Sequence, residues 1–318
     1  MGNVRRPALE GTVAVRGERR LSFAEYGPRS GPVIVWMHGT PGARRQIPLE
    51  ARAYADRRGV RIIGIDRPGI GSSTPYLYPN ILDWTQDLEL FLETLAIDTV
   101  RLIGLSGGGP YALAAGAAMP DRVHGIGVLG GAAPTRGPDA AEGGIIELAV
   151  HLAPLLTLAR VPLGMTLTQA IRVVRPLAGP VLDLYAALQP PGDRFLLSRP
   201  EFKAMFLDDL LNGSRFQTSA PLADLILFTR PWGFELADVR VPVRWWHGDA
   251  DHIVPFRHGQ HVVDRLPDAR MSTIDGESHL GGLGLAEEVI DTLLELGPHR
   301  ARGAGRASAR DAGSARGR

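Results

Sequence analysis

The 318-residue chain contains no cysteine. That absence excludes disulfide staples and thiolate metal sites, and nothing points to an oxidising compartment. Lysine is nearly absent too. Lys203 is the only one, so the basic charge is carried by arginine throughout, a compositional bias rather than the mark of one binding surface. The opening residues, MGNVRRPALEG, hold no apolar stretch of signal-peptide type, and Arg6 stands where a myristoylation motif has Ser or Thr. The longest run free of Asp, Glu, Lys and Arg, from Leu102 to Pro120, is broken by glycines and a proline, which does not suit a membrane span. A cytoplasmic protein without stable membrane insertion is expected.

Apolar residues make up 44% of the chain and charged residues 22%, the balance of a globular protein with a sizeable core. The net charge of +1 conceals an asymmetry. Residues 299–318 carry six Arg and one Asp among Gly, Ala and Ser, a net of +5, so the remainder sums to −4. This tail has no apolar periodicity and is expected to be a disordered, solvated segment. It lacks the aromatic residues that accompany basic groups in nucleic-acid binders, so no nucleic-acid partner is expected.

Apolar runs of strand length alternate with helical patterns. Thr12–Val15 and Leu21–Tyr26 read as a hairpin about Arg16-Gly-Glu. Strands follow at Pro32–Met37, Val60–Ile65, Thr99–Leu105, Val123–Leu129, Val241–Trp246 and Ala269–Ile274. Helices are expected at Arg45–Arg58, Ile81–Ala96, Gly107–Met119, Phe256–Leu266 and Leu280–Leu296. The pattern predicts an α/β fold: a mostly parallel, twisted sheet of about eight strands with helices on both faces. The rhythm breaks between about Pro134 and Phe234. From Gly144 to Gly192 only Glu147, Arg160, Arg172, Arg175 and Asp183 are charged, and leucines and prolines recur. This reads as several short helices forming a cap. The expected division is thus core 1–133, helical cap 134–234, core 235–298 and tail 299–318.

The stretch Gly104-Leu-Ser-Gly-Gly-Gly-Pro110 joins an expected strand to an expected small-residue helix. A nucleophilic serine needs an exposed oxygen, a base and donors for the oxyanion. A sharp strand-to-helix turn exposes Ser106, but crowds the backbone, so the residues two before and two after must be small. Gly104 and Gly108 meet that need. The helix that follows points free N–H groups at the site, and Pro110 fits its first turn.

With this turn, three further stretches make the chain resemble the α/β-hydrolase fold family over about Val13 to Leu296. His38-Gly-Thr-Pro-Gly42 resembles that family's oxyanion loop, Asp66-Arg-Pro-Gly-Ile-Gly-Ser-Ser73 its loop after the next strand, and Gly248-Asp-Ala-Asp-His-Ile-Val-Pro255 its acid loop. The resemblance implies Ser106 as nucleophile, Asp251 as acid and His279 as base, in the family's chain order. It implies the backbone N–H groups of Thr40 and Gly107 as oxyanion donors, with His38, Gly39, Gly104 and Gly108 in support. Of the two loop carboxylates, Asp249 is read as a brace. His38 and His247 end strands and are read as loop braces. His258 and His261 are read as surface residues on a helix. His258 and His261 are three apart, yet no carboxylate ligand pattern accompanies them, so no metal is expected, and no cofactor.

Ser106 stands where relatives such as epoxide hydrolases and haloalkane dehalogenases carry a carboxylate, which disfavours both. The expected function is hydrolysis of carboxylic esters of small to medium apolar acyl or aromatic substrates through an acyl-enzyme on Ser106. A lactonase, a carbon–carbon bond hydrolase and a proline-iminopeptidase-like peptidase are the alternatives. The peptidase would need carboxylates for a free amine, and Glu142, Glu147, Asp208 and Asp209 are the candidates in the insert. A ligand receptor on the same fold is the non-enzymatic reading.

Overall fold

A computed structural model describes residues 5–143, 145–217 and 219–297, without the side chains of 145–151; the expected tail lies outside these residues. Eight strands form one sheet in the order β1-β2-β4-β3-β5-β6-β7-β8. The hairpin pairs β1 (Leu9–Ala14) with β2 (Arg20–Tyr26). β2 then pairs antiparallel with β4 (Arg61–Ile65). The remaining pairs are parallel: β3 (Val33–Met37), β5 (Val100–Leu105), β6 (Val123–Leu129), β7 (Val243–Gly248) and β8 (Ala269–Ile274).

Strand periodicity sorts the side chains to two cores. Val35 and Met37 of β3 point to one face and Ile34 and Trp36 to the other. The first face is covered by α2 (Thr85–Thr94), α3 (Gly109–Ala118) and α9 (Phe256–Val263), and the second by α1 (Leu49–Arg58) and α10 (Ala286–Glu295). Both faces of the central strands β3–β6 are thereby dry, which is why these strands read as largely apolar runs rather than alternations, whereas the edge strand β8 is partly exposed. The chain leaves β3 toward β4 on one side, then crosses to β5 on the other. The ends of β3 and β5 therefore flank a switch point, where α/β sheets open a crevice.

Between β6 and β7 lies an insert that holds, among the described residues, five α-helices: α4 (Ile145–Val174), α5 (Ala178–Ala187), α6 (Pro191–Ser198), α7 (Pro200–Gly213) and α8 (Ala220–Phe228). The expectation of short helices fails at α4, which runs 30 residues through Pro154 and Pro162. Each proline removes an intrahelical hydrogen bond and crowds the carbonyl four residues back, yet the helix continues past both. Other boundaries also shift, among them the starts of two helices. Helix α1 starts at Leu49 rather than Arg45, because the residues before Pro48 hold a loop described below. Helix α10 starts at Ala286 rather than Leu280; Gly281, Gly282 and Gly284 lie in a preceding 3-10 turn. Among the described residues, no helix is long and apolar enough to cross a membrane.

Trp84 is fully buried before α2, edge-on to the Tyr111 ring of α3 at 5.8 Å between centroids. Truncating such a side chain leaves a cavity as well as losing its transfer energy. Trp84→Ala is expected to destabilise the fold by about 3–5 kcal/mol, read from urea unfolding.

Candidate active site

Ser106 opens a 3-10 turn between β5 and α3, with φ of +51°. A non-glycine residue in this left-handed region is strained, by roughly 1–3 kcal/mol. The tight turn accounts for its glycines. A Cβ on Gly104 would lie 2.7 Å from Gly109 Cα, and one on Gly108 would lie 2.4 Å from the Met37 carbonyl oxygen. Gly107 sits so close to the loop after β3 that its Cβ would meet Thr40 Oγ1 at 2.5 Å. The two residues named as oxyanion donors are thus neighbours across the switch point.

Ser106 Oγ lies 2.9 Å from His279 Nε2, and His279 Nδ1 lies 2.7 Å from Asp251 Oδ2. An ionised carboxylate only accepts, so Nδ1 carries the hydrogen and Nε2 of the neutral ring accepts from the serine hydroxyl. Asp251 follows β7 and is buried. Its Oδ1 accepts from the amides of Ile253 (2.8 Å) and Val254 (2.9 Å). Its Oδ2 also accepts from His247 Nε2 at 3.1 Å. Burial pushes the Asp251 carboxyl up, but the hydrogen bonds from His247 and His279 outweigh it and hold the group well below the usual carboxylate range.

His247 is a brace, as its place at a strand end suggested. Trp245 Nε1 donates to its Nδ1 at 3.1 Å, which leaves Nε2–H to donate to Val254 O (2.9 Å) and Asp251. Asp249 accepts from the Gly276 amide at 2.8 Å and ties the acid loop to the loop bearing His279. His38 donates from Nδ1 to Gly39 O (2.7 Å) and accepts the Arg67 amide at Nε2 (3.2 Å). Burial, with Arg67 alongside, keeps its pKa well below the ordinary histidine value. The Gly39 amide is committed to Gln46 Oε1 at 2.7 Å. One reading is corrected: His258 is buried, not superficial. Its Nε2 donates to Glu142 O at 2.9 Å, and His261 Nε2 donates to Asp139 O at 2.8 Å, so both pin the segment entering the insert.

Two groups escaped the sequence reading. Arg67, in the loop after β4, donates to His38 O (2.5 Å), Gly39 O (2.9 Å) and Thr40 Oγ1 (2.8 Å). Asp224 of α8 pairs with Arg67 at 2.6 Å, and accepts from Thr40 Oγ1 (2.6 Å) and Tyr111 OH (2.7 Å). The available signal was a lone carboxylate in the apolar helix sequence APLADLILF.

A cavity of roughly 530 Å³ lies over Ser106, His279 and Thr40. Its walls include Ile171, Val181, Leu182, Phe206 and Leu210 of the insert, with Ile70 and Leu105 of the sheet side. Of the insert carboxylates, Asp209 lines it. Both its oxygens are engaged, by the amides of Ala43 (2.9 Å) and Arg45 (3.0 Å). Asp208 is paired with Arg45 and Arg52, Glu142 is exposed, and the Glu147 side chain lies outside the described residues. Among the described residues, no group of three His, Cys, Asp or Glu could hold a metal ion.

Burial, with Asp66 nearby, pushes the Asp209 carboxyl up to about 7 against the opposing amides. A raised carboxyl pKa means stability that is full below the ordinary value of 3.8 and is lost as pH rises through about 7. The stability of the native chain minus that of Asp209→Asn should therefore fall between those limits, by at most about 1.4 kcal/mol per pH unit. Urea unfolding across the range checks it, and a flat difference contradicts it.

Residues 32–283 match the family model described as alpha/beta hydrolase fold. A proline iminopeptidase of Neisseria meningitidis is 30% identical over 129 residues, 40% of this chain and 41% of that protein. The matched stretch thus spans about two fifths of that relative's length. A 2-hydroxy-6-oxononadienedioate/2-hydroxy-6-oxononatrienedioate hydrolase of Paraburkholderia phymatum is 25% identical over 289 residues, 88% of this chain and 91% of the other. Among solved structures, the esterase RhEst1 of a Rhodococcus species superposes with a TM-score of 0.64 at 20% identity, covering 91% of this chain and 99% of its own, a likeness of fold. With most of its length matched by the family model, the chain belongs to the alpha/beta hydrolase fold family.

Proposed function

We propose that the chain is a serine hydrolase that cleaves carboxylic esters of small to medium apolar acyl or aromatic substrates. The observation that carries this reading is the hydrogen-bonded series Ser106–His279–Asp251 at the base of an apolar cavity. His279 takes the proton as Ser106 Oγ attacks the acyl carbon, and Asp251 stabilises the imidazolium that results. The amides of Thr40 and Gly107 donate to the oxyanion, aided by the N-terminal end of α3. Collapse of the tetrahedral intermediate returns the proton to the leaving alcohol. Water, activated by His279, then releases the acid from Ser106. The insert, residues 134–234, acts as a cap whose apolar walls receive the acyl or aromatic part.

The peptidase reading draws on the relatives named proline iminopeptidase. It is disfavoured because the insert carboxylate at the cavity, Asp209, is already engaged by two amides and is a poor partner for a substrate ammonium. Lactone and carbon–carbon substrates use the same three residues and differ in the leaving group. The carbon–carbon reading draws on the Paraburkholderia relative.

A fluorophosphonate probe should label the native chain and not Ser106→Ala, and the substitution should lower kcat by at least about 10³-fold. Labelling that survives it would remove Ser106 as nucleophile. With p-nitrophenyl esters of rising chain length, kcat/KM should rise from acetate to mid-length acyl groups as apolar walls are filled, by about 0.8 kcal/mol per buried CH₂. If all such esters are inert while a proline anilide turns over, the peptidase reading replaces this one.

A further inference from the structure

Three successive insert helices each send one buried aspartate across the seam to a loop of the proposed active site. On α6, Asp193 Oδ1 accepts the Leu280 amide at 2.8 Å, the peptide immediately after His279. On α7, Asp209 accepts the amides of Ala43 and Arg45, beyond Thr40 in the loop after β3. On α8, Asp224 accepts the Thr40 hydroxyl, and through Arg67 it reaches the carbonyls of His38 and Gly39. All three side chains are at most 3% exposed. Helices α6 and α7 also share the core of the sheet: Leu196, Leu197, Phe202 and Met205 pack in one cluster with Trp36, Leu105 and Leu283.

We propose that Asp193, Asp209 and Asp224 are positioning residues, through which the docked insert sets the geometry of the oxyanion loop and of the His279 turn. The inference rests on the serine-hydrolase reading above. Its physical basis is the cost of burying acidic side chains, offset by partners on both oxygens of Asp209 and Asp224 and, at Asp193, on Oδ1 alone, its Oδ2 having no partner among the described residues. Undocking the insert would strip Ala43, Arg45 and Leu280 of their amide acceptors. It would also free the Thr40 hydroxyl, which now donates to Asp224 and accepts from Arg67. In this arrangement Thr40 meets substrate through its amide, because its hydroxyl is spent on the clamp. Small displacements matter here, since an oxyanion donor moved by about 1 Å can cost about 10²-fold in rate. The insert is then part of the catalytic framework as well as the wall of the substrate cavity.

Removing Asp224 would strand a buried arginine and endanger the fold, so two gentler substitutions carry the test. Thr40→Val keeps shape and amide but loses the clamp. Asp193→Ala removes the acceptor of the Leu280 amide, while Asp193→Asn retains a carbonyl oxygen for it. Rates are expressed per Ser106 titrated with a fluorophosphonate, which removes any unfolded fraction, and thermal unfolding is followed in parallel. Thr40→Val and Asp193→Ala should each lower kcat about tenfold or more with KM within about twofold, and Asp193→Asn should recover most of the Asp193→Ala loss. Rates per titrated site within about threefold of the native chain for both Thr40→Val and Asp193→Ala, with Ser106→Ala inactive, would overturn the positioning role and leave the hydrolase reading standing. Turnover by Ser106→Ala itself would instead overturn that reading.

Discussion

The site is organised around one buried anion. Asp251 is surrounded by donors on both oxygens, two backbone amides on one and two imidazoles on the other. A carboxylate taken out of water without such partners would take up a proton and lose its role. With them it stays ionised, and that decides the state of its neighbours in turn. It requires a hydrogen on His279 Nδ1, which leaves Nε2 as the acceptor for Ser106. The second imidazole is held in its own tautomer by Trp245, so the orientation of the acid is set from two directions. The loop geometry of β7, the turn after β8 and the elbow after β5 all converge on this group.

A second buried charge plays the matching part on the other side of the cavity. The Arg67–Asp224 pair ties the loop after β3 to the helix returning from the insert. Breaking one partner of such a pair costs about 3–5 kcal/mol because the survivor is left uncompensated. Its value is therefore geometric. Four hydrogen bonds with these two side chains hold His38, Gly39 and Thr40 in a fixed course beside Gly107. The two charges sit on opposite flanks of the switch point between β3 and β5, and the serine lies between them.

The centre of the sheet was readable because both its faces are covered, so Val33–Met37 and Ile62–Ile65 appear as continuous apolar runs with no other explanation. The strand-to-helix glycines and the acid and histidine loops were readable because short motifs carry steric and chemical demands at fixed spacing. What escaped depends on long-range pairing. Asp224 lies 157 positions from Arg67, and no local pattern connects them. The histidines of α9 looked superficial because helical spacing alone does not reveal that Asp139 and Glu142 cross over them. In the insert, low charge signalled helices, but their lengths did not follow, since a proline inside a helix and a proline ending one look alike until the packing is known.

The strain at Ser106 explains why the glycines around it cannot be spread more widely. The residue is held at positive φ only because its surroundings leave it no alternative. On one side, Gly104 lets the backbone of Gly108 and Gly109 approach the end of β5; on the other, Gly108 lies against the carbonyls of Met37 and His38. A larger residue at either place would have to push the backbone of a neighbouring element, and that displacement would open the distance between Gly107 and Thr40. Gly109 continues the same logic: a Cβ there would lie 3.1 Å from Val128, so the first turn of α3 can rest directly on β6. The run of glycines thus sets the depth at which α3 seats on the sheet, and that depth fixes how far the serine oxygen stands above it.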